Sequence, residues 1–400
     1  MSEWKEVRLG EWMQFNPSRT IKKGHMARKI PMDSLVPYSK TIDKYYYEPY
    51  KGGAKFQNGD TIMARITPCL ENGKHAFISL LDQNETAFGS TEYIVMCGIE
   101  GISDNDFVYY LTHTPFFKNH AIKSMVGSSG RQRAQVDVLQ NLIMLVPTSL
   151  IEQRRIAAFL SSLDSKIENN RKICANLEAQ AQALFKHWFI DFAPFKDGKF
   201  VESELGMIPE GWRVGTFTEI FNLCPGGTPK TSESSYWENG NIPFFSPKDV
   251  TGIYCFKTEK QITKEGLNNC SSRLYDTNTV LITCRGTVGK VTMSAVPMAM
   301  NQSNYAILAK EGYSQYYAYL MTVAIVRKLK FKAVGSVFDA ITSKDFNEKI
   351  IIPDFATLKS FDSLISTFFE EIKAKGFESS RLSTLRDTLL PKLMSGEIKV

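Results

Sequence analysis

The hydrophobic and polar positions of this chain follow one plan twice. Each half begins with short β-rich runs separated by Gly, Pro and Asn, at residues 61–64 and 93–96 and again at 279–283 and 305–308. A helical stretch follows near 106–125 and near 313–333, and then a strand-like apolar run ends in proline, at 142–147 and 349–353. The pattern predicts two similar mixed α/β units.

Matching residues at a nearly constant separation support a duplication. Trp4 and Glu11 correspond to Trp212 and Glu219, and the Val-Gly-Ser sequence at 126–128 corresponds to that at 334–336, all 208 residues apart. Residues 90–95 parallel 302–307, and the Tyr-Leu pair at 110–111 parallels the pair at 319–320. Because these matches keep a common order, they predict a repeated unit of roughly 200 residues.

Each half ends in a long stretch with a heptad rhythm. Residues 151–190 contain neither Gly nor Pro. Apolar spacings of four and three residues, sustained this long, indicate a coiled-coil seam. We expect the two helices to pack antiparallel, which brings the two ends of the chain close together. The first predicted seam is Ile156, Leu160, Leu163, Ile167, Asn170, Cys174, Leu177, Ala181, Leu184 and Trp188, and the second, 205 residues later, is Phe361, Ile365, Phe368, Ile372, Lys375, Ser379, Leu382, Arg386, Leu389 and Leu393.

Several features of the helices leave alternatives open. Asn170 and Arg386 are polar seam residues, which either fix the register of the pair or lie where partners or solvent are available. Gly376 weakens the second helix, and Pro391 is expected to kink its last turn. The aromatic cluster of Phe185, Trp188, Phe189, Phe192 and Phe195 either docks a partner or anchors the first helix on its own domain.

Composition and charge constrain the class of protein and its partners only weakly. With 43% hydrophobic and 22% charged residues, the chain is an ordinary globular protein, and its net charge of +6 allows a polyanionic partner without requiring one. The 7 cysteines contain no C-x-x-C spacing, so we expect buried thiols in a reducing cytoplasm and neither disulfides nor a zinc site. No signal peptide and no apolar run of about 20 residues is present, so no membrane is expected as a partner.

The sequence contains no convincing catalytic motif. Residues 286–290 lack the spacing of a phosphate-binding loop, and there is no G-x-S-x-G or H-E-x-x-H sequence. Asp354 with Glu371 and Lys373 resembles a nuclease motif, but Ile372 between the last two occupies the predicted seam. Two related units on a rigid spacer are typical of a protein that reads two DNA half-sites. The alternatives are a stand-alone interaction scaffold, or a DNA methyltransferase or nuclease with cryptic motifs.

Several motifs resemble one family. They are the proline at 147 followed by E-Q-x-x-I at 152–156, the L-G-M-I-P-E-G-W junction at 205–212, the G-G-T-P sequence at 226–229, the R-G-T-V-G-K loop at 285–290, the Asn-Gln pair at 301–302, and the G-S-S-G-R-Q-R loop at 127–133. In this combination the whole chain resembles the specificity subunits of Type I restriction-modification systems. The first half departs most from the pattern of the family. It lacks G-G-T-P, and its insertion from Arg65 to Lys74 is longer than the one from Arg285 to Lys290 in the second half. The C-terminal helix lacks the E-Q-x-x-I opening.

The resemblance implies an α+β fold with two similar mixed α/β target-recognition domains, separated by a long antiparallel two-helix coiled coil and related by a pseudo-two-fold internal repeat. The expected boundaries are 1–148 and 212–353 for the recognition domains, 149–192 for the central helix, 193–211 for the linker and 354–400 for the C-terminal helix. The resemblance further implies a non-catalytic subunit that reads a bipartite site on double-stranded DNA. It implies as partners two methyltransferase (modification) subunits and the restriction/translocase subunits. This chain is expected to bind no cofactor, with S-adenosylmethionine, ATP and Mg only on the partners.

DNA-binding candidates follow from residue type and loop position, because Arg, Lys, Gln and hydroxyl side chains contact bases and phosphates. Arg285 follows an apolar strand and precedes Gly286, so it either contacts a phosphate, which we favour, or grips a guanine edge. The alternative for any candidate is a solvated surface or an internal ion pair. The full set is Arg65, Lys74, Arg131, Gln132 and Arg133 in the first half, and Thr228, Lys230, Ser246, Lys248, Arg285 and Lys290 in the second.

Overall fold

A computed structural model describes residues 3–332 and 340–400. It divides into two compact units, the first formed by Met1–Asn169 with Ser379–Val400 and the second by Asn170–Glu378. The Val-Gly-Ser sequence at 334–336 lies outside the described residues. Within the described residues, no helix is both long and apolar enough to cross a membrane.

The first unit consists of two small sheets, a separate strand pair and a helical layer. Its sheets have the strand orders β2-β9-β6-β7 and β4-β3-β8-β5, and β1 pairs with β10. The strands are β1 (Trp4–Arg8), β2 (Met13–Phe15), β3 (Met26–Ile30), β4 (Tyr46–Pro49), β5 (Lys55–Phe56), β6 (Thr61–Ala64), β7 (His75–Phe77), β8 (Ala87–Gly89), β9 (Tyr93–Gly98) and β10 (Ile143–Pro147). The helices are α1 (Leu9–Trp12), α2 (Asn105–His113), α3 (Pro115–Lys123), α4 (Val136–Gln140) and α5 (Leu150–Phe189), whose second half belongs to the second unit.

The second unit repeats this arrangement. Its sheets have the orders β14-β21-β18-β19-β16 and β17-β15-β20, and the pairs β13-β22 and β11-β12 stand apart. The strands are β11 (Phe200–Ser203), β12 (Gly206–Pro209), β13 (Arg213–Thr216), β14 (Phe221–Pro225), β15 (Ile242–Phe245), β16 (Tyr254–Cys255), β17 (Lys260–Ile262), β18 (Val280–Thr283), β19 (Val291–Ser294), β20 (Ala299–Met300), β21 (Asn304–Ala309) and β22 (Lys349–Ile352). The helices are α6 (Phe217–Ile220), α7 (Lys264–Asn268), α8 (Gln315–Lys332) and α9 (Phe355–Met394), whose last part belongs to the first unit.

The strand order confirms the internal repeat. The order β2-β9-β6-β7 recurs as β14-β21-β18-β19, and β4-β3-β8 recurs as β17-β15-β20, with the β3-β8 and β15-β20 pairs both parallel. The predicted parallel between residues 90–95 and 302–307 was one residue out of register. Ala64 pairs with Tyr93, and the equivalent Thr283 pairs with Asn304, so Tyr93 corresponds to Asn304 and not to Tyr305. A shift of one residue exchanges the two faces of a strand, which short motif matches do not resolve.

The predicted helix near 106–125 is two helices because of its local sequence. Pro115 occupies the first turn of α3, and the Thr114 side chain accepts a hydrogen bond from the backbone N–H of Phe117. Proline is well suited to the start of a helix and disrupts a helix interior. The chain therefore ends α2 at His113 and starts α3 two residues later, whereas the equivalent α8 runs on without a break.

In the first unit, the start of α5 packs antiparallel to the end of α9. Arg386 Nη1 lies 2.6 Å from Asp164 Oδ1, and both side chains are less than a tenth exposed. Gln153, the buried glutamine of the E-Q-x-x-I motif, fixes the start of α5 by donating to the carbonyls of Pro147 and Ile102 and accepting from the N–H of Asp104. Gly396 packs on the Trp4 ring, so the described ends of the chain meet in this unit as predicted.

In the second unit, the end of α5 packs antiparallel to the start of α9. Cys174 lies against the carbonyl of Ile372, and the Phe189 and Phe361 rings are 4.7 Å apart. The aromatic cluster packs inside this unit, where Phe189, Phe192 and Phe195 all contact the Trp212 ring. These contacts favour the anchoring interpretation over partner docking.

None of the predicted seam positions is exposed, which confirms the heptad prediction. The most buried residues of the helices are nevertheless shifted by one position at some sites: Asp164 and Phe369 are buried, whereas Leu163 and Phe368 are only half-buried. Each helix end packs on the rest of its own unit as well as on the other helix, which widens and turns its buried stripe. Gly376 gives the Phe256 ring room that a Cβ would fill, and α9 continues through Pro391.

Candidate nucleic-acid interface

The second-unit candidates lie on loops that contact one another at the ends of the sheets. The Asn301 N–H bonds the carbonyl of Phe245, and the Cys284 N–H bonds the carbonyl of Ser303. Thr287 donates to the carbonyl of Pro247. The structure therefore brings the segments 226–230, 246–249, 284–290 and 301–303, which we call the second loop cluster, to one place. All six second-unit candidates lie on it.

The loop that carries Arg285 is held in shape by the threonine before it. The Thr283 hydroxyl donates to the carbonyl of Thr287 and accepts from the N–H of Lys290 at 3.0 Å. Gly286 and Gly289 have φ values of +80° and +72°, a backbone conformation that favours glycine. Arg285 and Lys290 are exposed on this loop. They fit a surface for phosphates because hydrogen bonds from Thr283 hold the loop and both cations face solvent.

The G-G-T-P segment approaches its neighbours closely. A Cβ on Gly226 would lie 2.1 Å from the Asn301 carbonyl oxygen, so only glycine fits there. The Thr228 hydroxyl donates to the side-chain carbonyl of Gln302, an exposed residue that sequence reasoning did not select. Its signal in the sequence is the Asn-Gln pair at 301–302, one of the motifs that carry the family resemblance. Thr228 and Gln302 together present hydroxyl and amide groups of the kind that read base edges.

The remaining second-unit candidates differ in whether their side chains are available to contact DNA. Lys230 and Lys248 are exposed, and Lys248 lies 3.9 Å from Glu259, itself 60% exposed. The Ser246 hydroxyl is occupied, since it donates to Asp249 Oδ2 at 2.7 Å within a capping box. The two lysines therefore add positive charge to the second loop cluster, and Ser246 shapes it.

In the first unit, Arg65 occupies a different position from that expected. The Arg65 N–H bonds the carbonyl of Glu92 just as the Cys284 N–H bonds that of Ser303. Arg65 is therefore equivalent to buried Cys284, and the predicted correspondence with Arg285 was wrong by one residue. This position turns the Arg65 side chain inward, where Nη2 donates to the Ala134 carbonyl at 3.1 Å.

Lys74 is equivalent to Lys290, because the carbonyls of both accept a hydrogen bond from the last residue of the preceding strand. Its ammonium donates to the Met32 carbonyl at 2.7 Å. It also lines a cavity of about 400 Å³ with His75 and His113. Burial lowers the pKa of His113 to about 4 and the pKa of His75 well below its usual value. Both imidazoles are neutral near pH 7, so they add no cation beside Lys74.

The loop at 126–133 carries the other first-unit candidates. Arg131 is exposed, and the Gln132 carbonyl accepts the N–H of Thr67. Arg133 forms a bidentate ion pair with Glu92, with Nε and Nη2 2.7–2.9 Å from the carboxylate oxygens. These hydrogen bonds raise the pKa of Arg133 above its usual value. Sequence reasoning missed Glu92, for which no motif provides a signal. Residues 65–74, 92 and 126–134 form the first loop cluster.

The first residue of the nuclease-like motif, Asp354, is engaged in structural contacts. Asp354 of the nuclease-like motif caps helix α9 by accepting from the Thr357 N–H, and it also accepts from Trp212 Nε1. Among the residues that the structure describes, no group of three or more His, Cys, Asp or Glu side chains could hold a metal ion. What these loops present is a set of cations, amides and hydroxyls.

Comparison with known proteins decides the family. The family profile described as "Type I restriction modification DNA specificity domain" matches residues 1–179 and again residues 209–375. This chain belongs to that family. The family is the non-catalytic DNA-recognition component of Type I systems, so this specificity-family chain is not an enzyme in its own right. The alternative of a methyltransferase or nuclease with cryptic motifs is excluded by this membership.

Named relatives agree with the family. The Type I restriction enzyme MjaIX specificity subunit of Methanocaldococcus jannaschii is 30% identical over 303 residues, which is 74% of this chain and 69% of the relative. The HindI specificity subunit of Haemophilus influenzae is 24% identical over the full length of both chains. The crystal structure of a Type I restriction-modification S subunit from M. genitalium has a TM-score of 0.53 at 17% identity, covering 98% of this chain and 96% of that one. That likeness supports the fold alone.

Proposed function

We propose that this specificity-family chain reads a bipartite site on double-stranded DNA, one half-site with each loop cluster. The observation that carries the proposal is the repeat: the two clusters are built on equivalent strand ends but present different side chains. Loops held by a rigid scaffold are where binding residues concentrate. Two diverged copies of one reading surface can recognise two different half-sites, which identical subunits of a dimer cannot.

The proposal extends to the assembly. We infer that the chain carries two modification subunits, which transfer the methyl group, and associates with restriction subunits that translocate and cleave DNA. S-adenosylmethionine, ATP and Mg belong on those partners and not on this chain. Such an assembly would act in the cytoplasm, where it meets DNA. A stand-alone scaffold that binds only proteins is the competing function, and sequence-specific DNA binding separates the two.

Arg285→Ala should weaken binding to every DNA sequence. The side chain is exposed on a hydrogen-bonded loop that also carries Lys290 and contacts the segment of Lys248, as a phosphate contact requires. Each phosphate contact contributes about 0.9 to the slope of log affinity against log salt, so the slope should fall by about one. Fluorescence anisotropy between 50 and 300 mM salt measures both quantities.

The matched control is Lys359→Ala, which removes an exposed cation from helix α9 of the same unit. It should leave affinity and slope unchanged. If Arg285→Ala instead loses discrimination at a single base pair, Arg285 grips a guanine edge. If Arg285→Ala behaves like the control, Arg285 does not contact DNA.

A further inference from the structure

The ion pair between Arg133 and Glu92 leaves the end of the guanidinium free of the carboxylate. The carboxylate engages Nε and Nη2 together, so it occupies the side of the guanidinium. The end of the group, where Nη1 and Nη2 lie next to each other, is turned away from Glu92. Nη1 donates one hydrogen bond, at 3.3 Å, to the carbonyl of Arg131 on the same exposed loop. The Arg133 side chain is 43% exposed.

An arginine held in this way is preorganised for a base. A free arginine loses considerable rotamer freedom when it binds, and holding one edge removes much of that cost before binding. Two parallel N–H groups at the end of a guanidinium match the O6 and N7 acceptors of guanine in the major groove. A phosphate can accept the same pair of N–H groups, but the Glu92 carboxylate bound to this arginine would repel its negative charge. The pair is therefore better suited to a base edge than to the backbone.

The second unit lacks this pair at the equivalent positions. Glu92 corresponds to Ser303, because their carbonyls accept equivalent N–H groups from Arg65 and Cys284. The N–H of Ala134 donates to the carbonyl of Arg65, and the N–H of Ile341 donates to the carbonyl of the equivalent Cys284. Ala134 therefore corresponds to Ile341. The residues just before them, Arg133 and Ala340, correspond as well. A charged pair required by the common fold would be present in both units. Its restriction to the first unit indicates a role in what that unit alone recognises.

We propose that Arg133 reads a guanine of the first half-site through the end of its guanidinium, with Glu92 as the positioning residue. The inference rests on the proposed function, since it assumes that the first loop cluster contacts DNA. The inference predicts that the first half-site contains a guanine read by two parallel N–H groups of one arginine, which we call the fork. It also predicts that the second unit reads its own half-site without an equivalent fork. The exposed loop that carries Arg133 is the part of the cluster that approaches the base pair.

Selection experiments test this proposal. The wild-type chain, with its modification subunits, is allowed to select from duplexes with randomised bases, and single substitutions in the selected site are then measured by competition. One guanine of the first half-site should be required, and replacing it should weaken binding by about 10- to 100-fold. Arg133→Ala should abolish the preference at that base pair alone. Arg133→Lys should not restore it, because an ammonium cannot form the fork.

Glu92→Gln should weaken the same preference while Arg133 remains in place, since the amide offers one acceptor oxygen instead of two. The second half-site, read in the same experiment, is the internal control and should not change in any variant. Thermal melting of each variant verifies folding. If the alanine variant does not fold, Arg133→Lys provides the test in its place. If the wild type selects a site but Arg133→Ala and Arg133→Lys keep every base preference, or lose affinity equally for all sequences, the fork proposal is wrong. If the wild type selects no site at all, the proposed function itself fails.

Discussion

Arg386→Ala will lower the free energy of unfolding by about 3–5 kcal/mol. The side chains of Arg386 and Asp164 are 7% and 9% exposed, and Arg386 Nη1 lies 2.6 Å from Asp164 Oδ1. Burial by itself lowers the pKa of Arg386, but the attraction of Asp164 outweighs it and raises that pKa above its usual value. Tyr110 also donates to Asp164 Oδ2 at 2.6 Å. Removing the arginine leaves a buried carboxylate without its cation, which is far more costly than losing the pair as a whole.

Two comparison variants make this result specific. Asp387→Ala removes the second, exposed partner of Arg386 and should cost less than about 1 kcal/mol. Replacing both Arg386 and Asp164 with leucine should recover most of the loss, because no unpaired charge then remains in the interior. Urea unfolding followed by circular dichroism measures all three. Equal losses for Arg386→Ala and Asp387→Ala would show that Asp164 is solvated and not buried.

Phe361→Ala should be comparably damaging in the second unit, at about 3–5 kcal/mol. The ring is fully buried where α9 packs on the end of α5, with Phe189 at 4.7 Å and Trp188 at 5.5 Å between ring centroids. Truncation removes apolar contacts on several sides and leaves a cavity that neighbouring rings cannot fill without leaving their own contacts.

Leu364→Ala is the matched control for Phe361→Ala. It lies one turn further along the same helix and is 47% exposed, so it should cost less than about 1 kcal/mol. The same urea experiment applies, and near-ultraviolet circular dichroism and tryptophan fluorescence, to which Trp188 contributes, report on aromatic packing. A loss below about 1 kcal/mol for Phe361→Ala would mean that the contact between the two helices does not stabilise the unit.

Much of the fold could be predicted because periodicity is recorded locally in the chain. The predicted runs at 61–64 and 279–283 contain strands β6 and β18, and the heptad stretches form α5 and α9. The residue-by-residue alignment of the two units was harder to predict from the sequence. The alignment of Arg65 with Arg285 was one residue wrong, because hydrogen bonds to Glu92 and Ser303 define the equivalence and these bonds join residues distant in the sequence.

The candidate interface was predictable at the level of loops and not of side chains. Residue type and glycine spacing selected the segments that the second loop cluster brings together. They could not show that Arg65 turns inward or that Thr228 bonds Gln302. Glu92 was missed because an acidic residue does not suggest a DNA contact until its arginine partner, 41 positions away, is known. Which bases are read depends on such pairings.

We propose that each unit reads its own half-site. Exchanging residues 212–345 for the matching segment of a related specificity subunit, and then selecting bound DNA from a random library, tests it most directly. The exchanged protein should keep the first half-site of the parent and acquire the second half-site of the relative. A folded exchange protein that selects a different sequence in both half-sites, or the parental sequence in both, would contradict the claim.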